Sequence, residues 1–533
     1  MSKQKPFIVP QPEKYSFDGK WNKCTGISNF PQFIRKEFNV NKGNFKIQKI
    51  NAPGNGLEIT GNIIKVWGDQ YIYLSTLCQL LIQGKGFLPE VTIMENMAFS
   101  FRAYHLDIAR GGVPTLNYFK KIIRLLFLFK YNYFAIYFED LFPWQKYPQI
   151  GKERGRLTLD ELREIIRYGK QLGIEVFPSL ELSGHMEQML QLPEFRKYSE
   201  WNASEGCLNP ADKEARKFTH QLLEEAISYF PEARYIHIGG DETWVLGRGK
   251  SLDVTAEFRG PELYEIQHRE FINIVRRAGK EPMLWGDMLS GMYLEEKRRK
   301  RWFRIMKSPI WNNVTIANWN YSASKEDYFV NKIKTFKERR QIVAPGLSNW
   351  GRFYPDFDNA LLNLERFLKT AREHKVPGFL ITSWGDNGAE CMYKSVEPLL
   401  LAAAEAAHGN LNWEEKWVAL SGENEKIITL RRMFGHNCVG AAIKHLIFSD
   451  IVPDARTVRY WKGLVKQAKE NKLPEDLKFI CDFLEAGLKK LDGKLKLADI
   501  VKLAGSYKKL WISERKPANL NKVISKFNML HFV

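Results

Sequence analysis

Residues 235–244 read Tyr-Ile-His-Ile-Gly-Gly-Asp-Glu-Thr-Trp and set two adjacent carboxyl groups, Asp241 and Glu242, directly behind a short apolar run and a Gly-Gly break. Two acids this close repel each other, so one of them is expected to hold a proton near neutral pH. A carboxylic acid beside a carboxylate is what glycosidic bond cleavage requires. Tyr235, Ile236 and Ile238 predict a buried strand, and Gly239-Gly240 let the backbone turn or approach a ligand closely. The acids then emerge at the C-terminal end of that strand. A bare Asp-Glu pair is equally at home in an ordinary solvated loop, so the elements around it must decide.

From about residue 98 the chain alternates short apolar strands with amphipathic helices. The predicted strands are Ala103–Ile108, Tyr133–Phe138, Ile174–Leu180, Tyr235–Ile238, Pro282–Trp285, Thr315–Trp319, Ile342–Pro345 and Phe379–Ser383. Helical stretches such as Leu116–Phe129, Leu159–Leu172 and Lys213–Phe230 lie between them, and Thr158 with Glu161 predicts a capping box. Eight strands with intervening helices imply an α/β fold of the (β/α)8 TIM-barrel type, over residues 98–410. A doubly wound sheet is the alternative, but no Gly-rich phosphate loop follows the first strand. Residues 1–97 read as a small α+β domain, with strands at Phe45–Ile50, Leu57–Val66 and Val91–Ile93 and a helix at Leu74–Ile82. Residues 411–533 are rich in Lys, Glu and Leu at helical spacing and predict a helical C-terminal region.

In such a barrel the strand ends converge on one mouth. The first strand has Arg102 at its start and Asp107 and Arg110 toward its end. Glu139-Asp140 follows the second, Glu181 to His185 the third, and Asp241 to Trp244 the fourth. Trp285-Gly286-Asp287 ends the fifth, Trp319-Asn320-Tyr321 the sixth, and Trp384-Gly385-Asp386-Asn387 the eighth, with Glu390 just beyond. One strand-end Trp is ordinarily core. Three of them, Trp285, Trp319 and Trp384, each followed by polar residues, fit a cage for a sugar face.

These segments resemble glycoside hydrolase family 20, the β-N-acetylhexosaminidases. Thr76-Leu77-Cys78-Gln79-Leu80-Leu81 is similar to a TLxQLL helix and Phe101 to Arg110 to an R-G-x-x-L-D-x-x-R strand; Phe177 to His185 is similar to I-P-E-I-D-x-P-G-H, and His237 to Glu242 to H-x-G-G-D-E. Asp-Glu-Thr-Trp followed by Leu246 to Ser251 is similar to a divergent bacterial branch. The resemblance implies a retaining exo-β-N-acetylhexosaminidase in which the substrate's own 2-acetamido oxygen is the nucleophile. This suits two acids that approach from one side, where a carboxylate across the ring would be awkward to supply. Asp241 would accept the acetamido N–H, and Glu242 would be the acid and then the base. Arg102 is implied to bind the outer hydroxyls of the terminal sugar, with Asp107 and Arg110 pairing as scaffold. His185 would stand beside the acids, and His237, deeper on the fourth strand, would support them. Trp285, Trp319 and Trp384 would wall the pocket, and Asp386 and Glu390 would bind hydroxyls. Three departures stand out: Leu182 where the third segment has its acid, Ser183 for its proline and Ala103 for the glycine after the arginine. The family's acetamide-binding tyrosine falls to Tyr321 or Tyr354.

The net charge of +19 is large, but Lys and Arg are interleaved with acids, as in Glu-Glu-Lys-Arg-Arg-Lys-Arg (295–301), and no nucleic-acid motif accompanies them. A solvated basic surface and no nucleic-acid or membrane partner are expected. The 6 cysteines are far apart, without a C-x-x-C pair, so no metal knuckle and no dense disulfide framework is implied. No apolar leader and no membrane-length span is evident, which predicts a cytoplasmic protein with reduced thiols. No metal or cofactor is expected. The rival functions are a metal-dependent hydrolase on His105, His185, His237 and Asp241, a non-catalytic carbohydrate-binding barrel, and a two-carboxylate retaining glycosidase with Asp140 or Asp287 opposite Glu242.

Overall fold

The computed structural model describes residues 4–291, 296–436, 439–449 and 452–528. Glu295 of the basic run and Cys438 lie outside the described residues, as do both extreme ends of the chain.

The N-terminal unit is a five-stranded sheet in the order β1-β5-β3-β4-β2, built from β1 (Lys14–Lys23), β2 (Lys46–Lys49), β3 (Asn55–Thr60), β4 (Ile63–Trp67) and β5 (Phe87–Glu95). The run expected as one strand, Leu57–Val66, is a hairpin: Gly61 takes φ +56° and reverses the chain between β3 and β4. β1 was not foreseen. It is a polar edge strand with a register shift between Phe17 and Trp21, so it lacks the apolar alternation by which strands are recognised. The helix Gln70–Gly84 starts where the Asp69 carboxylate accepts the Tyr71 N–H. Its buried Gln79 donates to the carbonyls of Val9 and Leu128, joining this unit to the underside of the next one.

That next unit is a closed barrel of parallel strands in the order β6 to β13: Phe101–Asp107, Tyr133–Tyr137, Glu175–Ser179, Tyr235–His237, Glu281–Trp285, Thr315–Trp319, Gln341–Ala344 and Gly378–Ser383. The expected TIM barrel is borne out. β13 pairs with β6, Phe379 opposite Arg102, and closes the ring. Every residue of β6, β11, β12 and β13 is buried, because strands enclosed by side chains inside and helices outside have no wet face. The predicted capping box forms at Leu159–Gln171, with Thr158 and Glu161 each bonded to the other's backbone N–H.

The C-terminal region is helical. Ala455–Lys469, Glu475–Leu491 and Leu497–Glu514 are its longest members, and Leu520–Asn528 is the last helix. It is fastened to the C-terminal end of the barrel. Phe353, from the loop after β12, packs among Phe479, Phe483, Tyr507 and Phe527 at ring-centroid distances of 4.9–6.2 Å. Arg515 donates to the carbonyls of Ala389 and Cys391 in the segment after β13, and Lys526 to that of Asn387.

Candidate active site

β9 is short, and the backbone beyond it is contorted in a way the sequence permits. Gly239 and Gly240 take φ of +66° and +94°. A Cβ on Gly239 would strike the Glu181 carboxyl group, and one on Gly240 would lie 2.6 Å from His268 Nε2. Both must therefore be glycine. Glu242 follows at φ +49°. Left-handed backbone costs a non-glycine residue about 1–2 kcal/mol. The cost is offset locally: the Glu242 N–H donates to Asp287 Oδ2 at 3.0 Å.

The two acids are held differently. Asp241 is 7% exposed. Its Oδ2 lies 3.4 Å from His185 Nε2, which is also 3.6 Å from Glu242 Oε2. Its Oδ1 is buried and has no hydrogen-bond partner among the described residues. Burial alone would raise the Asp241 carboxyl, but the facing His185 holds it below its ordinary value. His185 is raised to about 9: burial lowers it, and the Asp241 carboxylate more than restores it. Glu242 is raised, by burial first and then by the Asp241 charge. The two environments push the pair's proton affinities apart, Asp241 toward the carboxylate and Glu242 toward the acid, which is how one site separates a base from an acid.

A third carboxyl group completes the arrangement. Glu181 is buried, and burial first and then the Asp241 charge push its carboxyl well above the ordinary value. Its Oε1 accepts the Trp285 indole N–H at 3.3 Å and its Oε2 the Gly240 N–H at 3.3 Å. Counted back from His185, Glu181 stands at the acid position of the third segment. Leu182 is the variable residue after it, so the acid is present and the expectation that it was lost is corrected.

The aromatic residues gather as expected. Trp285 and Trp384 lie with ring centroids 5.8 Å apart, Trp319 stacks on Tyr321 at 4.9 Å, and Tyr321 approaches Trp384 at 6.3 Å. Trp350, from the loop after β12, adds a face 5.2 Å from Tyr321 and was missed. Asn349 beside it clamps Trp384 through both the N–H and the carbonyl of that residue. Tyr354 does not join them. It is buried against Phe357, and its hydroxyl faces the Arg431 carbonyl at 3.4 Å, so of the two expected tyrosines only Tyr321 lies beside the tryptophans. His237 lies beneath the acids, accepting the Gly239 N–H at Nδ1 with its ring 4.4 Å from Trp285. Burial lowers its imidazole to about 3, so it is neutral there.

Two expectations are overturned. Arg102 lies at the opposite end of the barrel from the acids. Its guanidinium is buried and donates to the carbonyls of Lys130 (2.6 Å) and Phe99 (2.7 Å), a structural task with no access to the mouth. The arginine at the mouth is Arg110. It lies 3.2 Å from Asp107, 3.1 Å from Glu139 and 3.8 Å from Asp386, with its guanidinium over the Tyr137 and Trp384 rings. Asp386 is at the mouth and half-exposed. Glu390 is not available for that role. It is 1% exposed, with one carboxylate oxygen taken by Lys444 at 2.8 Å and the other by Lys526. Those lysines line a polar cavity of about 500 Å3 beyond Arg110, together with Glu139, Arg154 and Glu187. Asp140 is held by Arg154, so it does not face Glu242. Among the described residues no group of three or more His, Cys, Asp and Glu side chains is placed to hold a metal ion.

The glycosyl hydrolase family 20 catalytic-domain model matches residues 99–409, more than half of the chain. Human hexosaminidase D is 23% identical over 303 residues, covering 54% of this chain and 60% of that protein, and the Bos taurus hexosaminidase D is 24% identical over 216 residues, covering 40% and 62%. The chain therefore spans about three fifths of the length of these curated relatives. Among solved structures, the exo-β-N-acetylglucosaminidase of Vibrio harveyi, in complex with N-acetylglucosamine, superposes with a TM-score of 0.60 at 16% identity, covering 79% of this chain and 78% of that one. The Streptomyces plicatus N-acetyl-β-hexosaminidase gives a TM-score of 0.60 at 15% identity, covering 81% and 97%.

Proposed function

The chain belongs to glycosyl hydrolase family 20, and on that premise we propose that it is a retaining exo-β-N-acetylhexosaminidase that removes terminal N-acetylglucosamine or N-acetylgalactosamine with help from the substrate's own acetamide. The observation that carries this reading is Asp241, whose two oxygens differ: Oδ2 faces the His185 cation, while the buried Oδ1 makes no hydrogen bond within the described residues. An ionised buried oxygen is costly unless a donor reaches it, and the acetamido N–H is such a donor.

The chemistry follows from that division. The acetamido oxygen attacks the anomeric carbon as the glycosidic C–O bond breaks, and Glu242 delivers its proton to the leaving oxygen. The resulting oxazolinium carries positive charge on the acetamide, which the Asp241 carboxylate stabilises at hydrogen-bond distance. Glu242, now ionised, removes a proton from the water that opens the ring, so configuration is retained and the acid is restored. A conventional retaining enzyme needs its second carboxylate about 5 Å away across the sugar. The two expected alternatives do not serve: Asp140 is bound to Arg154, and Asp287 receives the Glu242 N–H from behind. Trp319, Tyr321 and Trp384 would enclose the acetamide, backed by the fully buried Trp285, and Arg110 with Asp386 would bind the outer hydroxyls. The setting is proposed to be a reducing one, in keeping with five buried free thiols (Cys24, Cys78, Cys207, Cys391, Cys481).

The test is a panel of aryl β-glycosides differing only at C2. Turnover of the 2-acetamido compounds and none of the 2-hydroxy compounds is expected. Equal turnover of both would exclude the acetamide as nucleophile and return the two-carboxylate mechanism.

A further inference from the structure

β10 ends at Trp285, and the chain turns through Gly286 into the short helix Asp287–Ser290. The turn is tightly packed: a Cβ on Gly286 would lie 2.8 Å from Ile316 and 3.0 Å from the Phe336 ring. That packing turns Asp287 inward, where it is 2% exposed. It is a buried acid that needs a reason to be there.

Both of its oxygens are engaged, and by different parts of the site. Oδ2 accepts the backbone N–H of Glu242 at 3.0 Å, and Oδ1 accepts the indole N–H of Trp319 at 3.2 Å. The groups that face it are Asp241, Glu242, Tyr264 and Lys332. Burial, and then the Asp241 charge, raise its carboxyl to about 7. Each tether has a clear consequence. The N–H of Glu242 belongs to a residue with left-handed backbone, so its acceptor fixes where the acid's side chain begins. The indole belongs to the wall that would meet the acetamide, on the next strand over.

We propose that Asp287 is a positioning residue that sets the proton donor and the acetamide wall in register, one carboxylate holding the Glu242 backbone with one oxygen and the Trp319 ring with the other. The proposal rests on the reading that Glu242 is the acid. Asp287 touches no reacting atom. Its effect is on where the acid's proton stands relative to the leaving oxygen, and a misplacement of about 1 Å costs on the order of 100-fold in rate.

A carboxamide accepts at one atom only, so Asp287→Asn must present an N–H to one of its two donors and break that tether. The readout is the dependence of kcat on the leaving group across aryl N-acetyl-β-glucosaminides. With p-methoxyphenol, which leaves only when protonated, the variant is expected to lose about 30- to 100-fold. With 2,4-dinitrophenol, which leaves as the anion, the loss is expected to stay below about 5-fold, since acid catalysis contributes little there. Asp287→Ser, small and still an acceptor, serves the same test if the first variant does not fold. A folded variant that loses activity in parallel for both leaving groups, or for neither, would overturn the proposal while the function stands. A wild type inactive on every 2-acetamido glycoside would overturn the function and this inference together.

Discussion

Arg102 and Arg110 belong to one segment of chain, yet they sit at opposite ends of the barrel and do opposite work. Arg102, at the floor, is buried against carbonyls of Lys130 and Phe99, and burial lowers its guanidinium to about 10. Nearby, Lys130 is sealed between Glu95 and the Val9 carbonyl. These cations are spoken for by fixed protein partners. At the mouth the balance differs: Arg110 is shared among three carboxyl groups, Asp241 keeps a buried oxygen without a hydrogen-bond partner among the described residues, and Glu139, His185 and Glu242 hold left-handed backbones. The floor is built to be finished by folding, the mouth to be finished by a ligand. Charge and burial alone do not separate the two; the partners of each charge do.

Breaking the mouth should cost activity and leave the fold intact. The largest effect is expected at the dyad. Glu242→Gln should lower kcat on poorly leaving aryl glycosides by about 1,000-fold or more, and Asp241→Asn by about 100- to 1,000-fold, measured by steady-state kinetics. Next comes Arg110→Met, which removes charged hydrogen bonds worth about 1.5–3 kcal/mol and should lower kcat/KM about 10- to 100-fold, mostly through KM. Its counterpart sharpens the comparison. Arg102→Met strands two buried carbonyls, so unfolding free energy should fall by about 1–3 kcal/mol in denaturant melts while kcat/KM holds. A loss of kcat/KM with undiminished stability would reverse the assignment of the two arginines.

His185 adds a pH signature. Its imidazole is raised from 6.5 to about 9 in the folded protein. A raised pKa means that the folded state binds the proton more tightly, so its stabilisation is complete below pH 6.5 and is lost as pH rises through 9. The stability difference between the wild type and His185→Gln should therefore be largest near pH 6 and shrink by pH 10. A difference that grew with pH would contradict a protonated His185. The smallest effect on activity is expected at the clamp on the C-terminal helices. Lys526→Met strands one oxygen of the buried Glu390 while Lys444 keeps the other, so about 1–3 kcal/mol of stability should be lost in denaturant melts.

The barrel was legible because its strands are apolar runs at near-regular spacing, and each of the eight falls within a residue or two of its predicted span. The dyad was legible because glycine pairs at strand ends have few other uses. What was lost followed from geometry that a motif does not carry. The first strand ends at Asp107: Arg102 lies five residues before that end, roughly 17 Å at about 3.3 Å per residue, whereas Arg110 lies in the turn beyond it, so only Arg110 can reach the mouth. Parallel barrels place their sites at the C-terminal end, and that consideration alone would have chosen Arg110. Glu181 was missed by a one-residue offset in matching the third segment, where it lies beyond the end of the strand at Ser179. Glu390 was unreadable because its partners, Lys444 and Lys526, are more than 50 residues away in sequence. The β3–β4 reversal hid because Gly61-Asn62 interrupts a run that is otherwise continuous.

The central claim is that the substrate's acetamide supplies the nucleophile while Asp241 orients it. The most direct measurement is kcat/KM for aryl N-acyl-β-glucosaminides bearing none, one, two or three fluorines on the acetyl methyl group. Each fluorine withdraws electrons from the carbonyl oxygen, so a steep, monotonic fall is predicted. A flat series would contradict the account, because a carboxylate nucleophile on the protein would not feel the substitution.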